Sequence, residues 1–195
     1  MDTAQLEARP APPTDRLVTA AEYAEHPEWG SCELIRGRVV PMTVPKRKHG
    51  FLCFVLGKLL DRYAESRGLG RVFVGDAGVL VERDPDTVRG PDVGFVRTEH
   101  LPPQGEEDGY FETPPDLCVE IVSPTDRWSE ITEKVDMFLA AGVTLVWVVD
   151  PQAHKAHVFR KGREVRVVGR NDSLDGEDVL PGFTLTLTDA FAALT

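Results

Sequence analysis

The sequence predicts a mixed α/β (α+β) fold, a mixed sheet flanked by helices, on three observations. Two runs, DLCVEIV and TLVWVVD, are apolar on both faces, a pattern strands keep when a sheet is covered on both sides. Two other stretches repeat apolar residues at helical spacing, and groups of strands alternate with these helices along the chain. No G-x-G-x-x-G or P-loop pattern occurs, which removes the nucleotide-binding folds that the same alternation could suggest.

The opening MDTAQLEARPAPPTD is Pro-rich and polar and has no basic-then-apolar leader. Residues 1–15 are therefore expected to be a disordered tail and residues 16–195 a single domain, in the cytoplasm. Thr19 can cap a short helix through Glu22 and Tyr23 that ends near Pro27. CELIRGRVVPM reads as two short strands turning at Arg36–Gly37. HGFLCFVLGKLLDRYAESRG carries apolar residues at 52, 55, 56, 59, 60 and 63, the period of a helix face, and Gly68 is placed to stop it. Arg71–Val74 and Val79–Glu82 read as a second strand pair around Gly75–Gly78. PDVGFV and DLCVEIV are two further strands, separated by a polar loop. A second helix is expected over 127–141, closed by Gly142, followed by the strand TLVWVVD. A hairpin of HKAHVFR and REVRVVG across Lys161–Gly162 comes next, and PGFTLTLTDAFAAL supplies a last strand and helix.

The 195 residues are 42% hydrophobic, enough for a sizeable core, and no stretch approaches the roughly 20 apolar residues that span a bilayer. Asp and Glu number 32 against 22 Lys and Arg, a net charge of -10. That balance argues against a protein that coats nucleic acid nonspecifically, because phosphate binding is driven by Lys and Arg. It leaves room for a local basic cleft. Cys32, Cys53 and Cys118 are scattered, odd in number and without CxxC spacing, so they read as reduced, buried thiols rather than zinc ligands.

Glu120 is the most informative residue. In a strand, 117, 119 and 121 face one way and 118, 120 and 122 the other, so L-C-V-E-I-V sets one carboxylate in an otherwise apolar run. A buried carboxylate costs several kcal/mol unless it is paired or holds a metal. Pairing with an Arg or Lys at the strand end is the competing account. Asp92 in G-P-D-V-G-F-V repeats the pattern, although an aspartate after proline is also common turn chemistry. Two carboxylates entering neighbouring strands can face one cleft and hold a hard divalent cation, typically Mg²⁺.

Lys134 completes a candidate triad. On the helix after Glu120, residues 131, 135, 138 and 139 form the apolar face. At about 100° per residue, Lys134 falls about 40° from Phe138, at the border of that face, and can reach back toward the strand end. Snorkelling, or an i, i+4 pair with Glu130, competes with that reading. His49 opens the long helix within its apolar arc, just after Lys46, Arg47 and Lys48. Those cations precede a helix N-terminus, where backbone N–H groups favour anions such as phosphate. A structural histidine and a solvated basic loop are the plainer alternatives. Glu33 could add a carboxylate to the site, or pair with Arg36 or Arg38 at the surface.

The succession CELIRGRVVPM, KHG, GRVF, TVRGPDVGFV, PDLCVEIVSPTD, EKVDMFLAAGVTLVWVVDP and DVLPGFTL closely resembles the Uma family, known as predicted restriction endonucleases, over about residues 19–191. The resemblance implies a restriction-endonuclease-like fold of the PD-(D/E)xK superfamily. It also implies Mg²⁺-dependent hydrolysis of phosphodiester bonds, with Mn²⁺ as a substitute, DNA as the partner, and a homodimer where both strands are cut. Asp92 matches the first metal-binding acid and Glu120 the second. The superfamily pattern sets a lysine two residues after the second acid, where this chain has Val122. The resemblance implies that its place has moved to Lys134.

The expected mechanism follows. Asp92 and Glu120, with Glu33 helping, hold the metal, and Lys134 orients water or offsets charge on the phosphate. His49 contacts phosphate or assists proton movement, and Arg36, Arg38, Lys46, Arg47 and Lys48 grip the backbone. Two rivals of other classes stand beside this reading. One is a binding or assembly module on the same fold without turnover. The other is a metal-dependent hydrolase of small phosphoesters, which an acidic protein would suit.

Overall fold

The chain builds two principal sheets; it first passes from one to the other through a long helix, then crosses directly between them twice, at neighbouring points. A computed structural model describes residues 11–103 and 108–192. The first ten residues of the expected tail, and part of the GEEDG loop, lie outside the described residues.

The smaller sheet has the order β2-β1-β5-β4, with β1 at Cys32–Ile35, β2 at Arg38–Pro41, β4 at Val79–Glu82 and β5 at Thr87–Arg89. The hairpin β1–β2 turns as expected at Arg36 and Gly37, both at positive φ (47° and 72°), the pairing a two-residue type I′ turn requires. A short helix α1, Ala20–Ala24, packs on this sheet, capped by the Thr19 hydroxyl accepting from the Glu22 N–H.

The larger sheet has the order β10-β9-β8-β7-β6-β3. Its strands are β3 (Gly70–Val74), β6 (Val93–Arg97), β7 (Leu117–Ile121), β8 (Leu145–Asp150), β9 (Lys155–Phe159) and β10 (Arg166–Val168). The two runs with apolar residues on both faces are the central pair β7 and β8, which are parallel, and the other neighbours are antiparallel. Helix α2, Arg47–Glu65, covers one face: Leu52, Leu56 and Leu60 pack with Leu117, Val119, Leu145 and Trp147. Helix α3, Trp128–Ala141, covers the other, where Ile131, Val135 and Phe138 meet Cys118, Val146 and Val148. Gly142 ends α3 at φ 114°, as its position after the last helical residue predicts. The chain closes with β11 (Ser173–Asp175), which the sequence reading missed, paired to β12 (Thr184–Thr186), and α4 (Leu187–Ala192). Among the described residues, no helix is long and apolar enough to cross a membrane.

One expected pairing is not made. β3 and β4 do not form a hairpin: β3 pairs with β6 in the large sheet and β4 with β5 in the small one. Burial explains the split. Val72 packs on the α2 side, whereas Val79 and Val81 pack on the α3 side, so Gly75–Gly78 carries the chain across. The stretch TVRGPDVGFV divides in the same way. Thr87–Arg89 belongs to the small sheet, Val93–Arg97 to the large one, and Gly90–Pro91–Asp92 is the crossing.

The two crossings touch. A Cβ on Gly90 would lie 2.2 Å from the backbone oxygen of Asp76, so only glycine lets them approach. Gly90→Ala is expected to cost about 1–3 kcal/mol, as overpacking against backbone does. Urea denaturation measures it, and an unchanged midpoint would show that the crossings separate freely.

Candidate active site at the sheet crossings

Glu120 is on β7, on the face that α3 covers, with a side chain only 13% exposed. Lys134, equally enclosed, reaches it from the border of the α3 apolar face. Its Nζ donates to Glu120 Oε2 at 2.9 Å and to the Gly90 carbonyl at 2.7 Å. The same nitrogen lies 3.4 Å from Glu33 Oε1. Lys134 therefore ties β7 to the second crossing, while Glu130 faces Arg127 instead, at 3.9 Å. Glu120 Oε1 is also 2.9 Å from Nζ, but outside hydrogen-bonding geometry, and is left as a buried acceptor without a hydrogen bond. Burial pushes the Glu120 carboxyl up to about 8, against the pull of Lys134 and helped by the charge of Asp92. Burial opposes the Lys134 charge too, but Glu120, Glu33 and Asp92 outweigh it and hold the ammonium above its ordinary range.

Asp92 stands at the end of the second crossing, where β6 begins. Its Oδ2 accepts from the Ile121 N–H at 2.6 Å, one residue beyond Glu120, which fixes the two acids relative to each other. Its Oδ1 is 3.1 Å from His49 Nε2. The other ring nitrogen of His49, Nδ1, is 3.3 Å from Cys53 Sγ, one helical turn on. The hydrogen bond to Asp92 leads the effects that raise the imidazole to about 10. Burial pushes the Cys53 thiol up, and the hydrogen bond to His49 pulls it partly back.

Glu33 comes from β1 and is 7% exposed. Neither Arg36 nor Arg38 is its partner. Arg89 is, donating from Nε and Nη2 to Oε2 at 3.1 and 2.9 Å, while the Gly90 N–H donates to Oε1 at 3.3 Å. Burial would raise the Glu33 carboxyl, but Lys134 and Arg89 outweigh it and hold it below the usual range. Arg36 reaches Glu82 and Glu133 at 3.7 and 3.6 Å, and Arg38 donates to the Thr14 carbonyl at 2.6 Å.

Arg89, Cys53 and Asp76 were not singled out from the sequence. Arg89 carried a signal, as a cation directly before Gly-Pro-Asp. Cys53 carried one too, at i+4 from His49. Asp76 carried none, since only the contact of the two crossings brings it near. Although that residue is exposed on its loop, loss of water around the carboxyl and the nearby Asp92 charge raise it.

A cleft of about 1140 Å³ opens beside this cluster and shares His49 with it. Lys46, Arg47 and Lys48 line one side, at the start of α2, and His154 and Arg170 contribute from the far end of the chain. Helix α2 begins two residues before His49, and Lys46 at its N-cap makes no side-chain cap hydrogen bond. Arg36 and Arg38 are not among the lining residues.

The family model for Uma2, described as "Putative restriction endonuclease", matches residues 20–188. A solved structure described as a "putative nuclease belonging to DUF820" from Anabaena variabilis superposes with a TM-score of 0.80 at 22% identity, covering 91% of this chain and 99% of that one. The two share their fold. A DrdV–DNA complex aligns with a TM-score of 0.36 at 21% identity, over 64% of this chain and 68% of that chain. No curated protein matches.

Proposed function

The chain belongs to the Uma2 family, and from that premise we propose that it is a divalent-metal-dependent nuclease acting on DNA, with Asp92 and Glu120 as the metal ligands. The observation that carries this reading is the buried Glu120 Oε1, an acceptor without a hydrogen bond, on a carboxylate held close to Asp92. An oxygen left open in that way, in an all-oxygen pair, fits Mg²⁺ or Mn²⁺. A cation bound there supplies positive charge to the scissile phosphate and an activated water.

The chain's own groups do the rest. Lys134, held in place by Glu120, Glu33 and the Gly90 carbonyl, sets a fixed ammonium beside the reacting phosphate. Glu33 already serves Arg89, Gly90 and Lys134, so its part is to position Lys134 rather than to bind metal. His49 orients Asp92 and presents a protonated imidazole toward the cleft. Lys46, Arg47, Lys48 and Arg170 contact the backbone phosphates on the cleft side. Binding is weak and salt-sensitive, because the net charge of -10 opposes DNA and the local basic lining of the cleft attracts it.

Supercoiled plasmid with Mg²⁺ tests the reading. The wild type is expected to nick it, EDTA to stop nicking, and Glu120→Ala to reduce it by roughly 10²-fold or more. Equal cleavage by wild type and variant would reveal a contaminant and overturn the proposal. Metal binding without cleavage of DNA would favour the module without turnover. Turnover of a nucleotide monoester in place of DNA would favour the small-phosphoester hydrolase.

A further inference from the structure

Cys53 takes no part in that mechanism, yet its surroundings differ from those of the other two thiols. Cys32 donates to the Trp29 carbonyl, and Cys118 is buried in the core under α3. Cys53 instead sits one turn after His49 on the same face of α2, with Sγ 3.3 Å from Nδ1. One nitrogen of His49, the Cys53 sulfur and one Asp92 oxygen all lie within 4.8 Å of one another. Zinc bonds of about 2.3 Å to sulfur and about 2.0–2.1 Å to nitrogen or oxygen give tetrahedral edges of about 3.3–3.6 Å, so small side-chain adjustments close the set. Asp92 is fixed by the Ile121 N–H and the other two donors by one helix, so little freedom is lost when an ion binds.

The donor chemistry selects the ion. Thiolate and imidazole suit borderline Zn²⁺, while Mg²⁺ keeps to oxygen. We propose that His49, Cys53 and Asp92 form a second, softer metal site that takes Zn²⁺, and that Zn²⁺ there withdraws Asp92 from the hard-cation site and so inhibits the enzyme. On binding, the Cys53 thiol releases its proton to solvent, and His49 gives up the proton on its ligating nitrogen. The fourth position falls to water. Zinc binding stands on this geometry alone, and inhibition rests in addition on the nuclease reading.

Cobalt(II) is the probe for binding. Added to the reduced full-length chain, it is expected to give a near-ultraviolet thiolate-to-metal absorption that Zn²⁺ abolishes, that Cys32→Ser keeps and that Cys53→Ser loses. No band in the wild type, or a band lost with Cys32→Ser instead, would overturn the site. Alkylation of the wild-type chain guards against misfolded variants: Zn²⁺ is expected to slow iodoacetamide reaction at Cys53 at least tenfold and leave Cys32 unaffected, and equal reactivity would overturn it. Under saturating Mg²⁺, Zn²⁺ is expected to lower wild-type nicking at least tenfold. Cys53→Ser, judged against its own zinc-free activity, is expected to need at least tenfold more Zn²⁺. Equal sensitivity would overturn inhibition through this site, whereas a cobalt band in a chain that never nicks would sink only the nuclease reading.

Discussion

Lys134→Met is expected to destabilise the metal-free chain by about 3–5 kcal/mol at pH 8, the usual result of removing one partner from a buried ion pair. Lys134 Nζ is the cation that Glu120 contacts, and it also approaches Glu33 and caps the Gly90 carbonyl. Methionine fills similar volume, so the loss reflects charge and hydrogen bonding rather than a cavity. Arg89 continues to neutralise Glu33. Glu120 is left with no counter-charge in a nearly enclosed site, and its escape is to take up a proton. Glu120 already stands at about 8 beside Lys134 and rises further without it, so the cost is expected to be greater at pH 9.5 than at pH 8, and to shrink in Lys134→Met/Glu120→Gln, where nothing remains to be neutralised. Urea unfolding of the four proteins at both pH values measures this. A cost independent of pH and unchanged by Glu120→Gln would show that Lys134 acts through packing alone. Nicking is expected to fall roughly 10²-fold in the same variant, as when one donor to a transition-state oxyanion is removed.

Much of this cluster was legible in the sequence because each feature depends on periodicity within one element. The alternation of L-C-V-E-I-V puts Glu120 on the face opposite Val119, and the helical angle of Lys134 from Phe138 puts its ammonium at the edge of the α3 core. Both follow from local geometry, and α3 covers the Glu120 face. What stayed hidden depends on which sheet a strand joins. Nothing local tells Val79 to pack under α3 while Val72 packs under α2, so β3 and β4 read as a hairpin when they are parts of different sheets. That error concealed the contact between Asp76 and Gly90, and with it Asp76 as a neighbour of Asp92. Likewise, Arg89 was passed over for Glu33 in favour of Arg36 and Arg38, which are closer in sequence. The pairing of Leu34 with Val88, across more than fifty residues, is what brings Arg89 alongside. The cysteines illustrate the same limit. Spacing rules for zinc look along the chain, whereas the third donor beside His49 and Cys53 arrives from a crossing in another part of the fold.

Divalent metal is expected to raise the melting temperature of the chain, and to raise it more as pH increases from 6 to 9. Glu120 stands at about 8 in the folded chain against an ordinary 4.5, so the native state holds a proton that the unfolded chain has released over that interval. Its contribution to stability is complete below about 4.5 and is lost as pH rises through 8. His49, raised from 6.5 to about 10, adds a contribution that is complete below 6.5 and lost toward 10. Glu33 works in the opposite sense: its carboxyl is held low, so its contribution is present above its ordinary range and disappears in acid. The metal-free protein is thus most stable in mild acid and weakens steadily toward pH 9. A cation on Asp92 and Glu120 needs both acids ionised, so binding expels the Glu120 proton, and apparent affinity rises by up to about tenfold per pH unit below 8. Melting curves in EDTA and in Mn²⁺ should therefore diverge as pH rises. Calorimetric titration in two buffers of different ionisation enthalpy should report close to one proton released per ion at pH 6.5. A melting shift of the same size at pH 6 and pH 9, with no proton released, would mean that the ion does not bind through Glu120, and the open Oε1 would then need another partner.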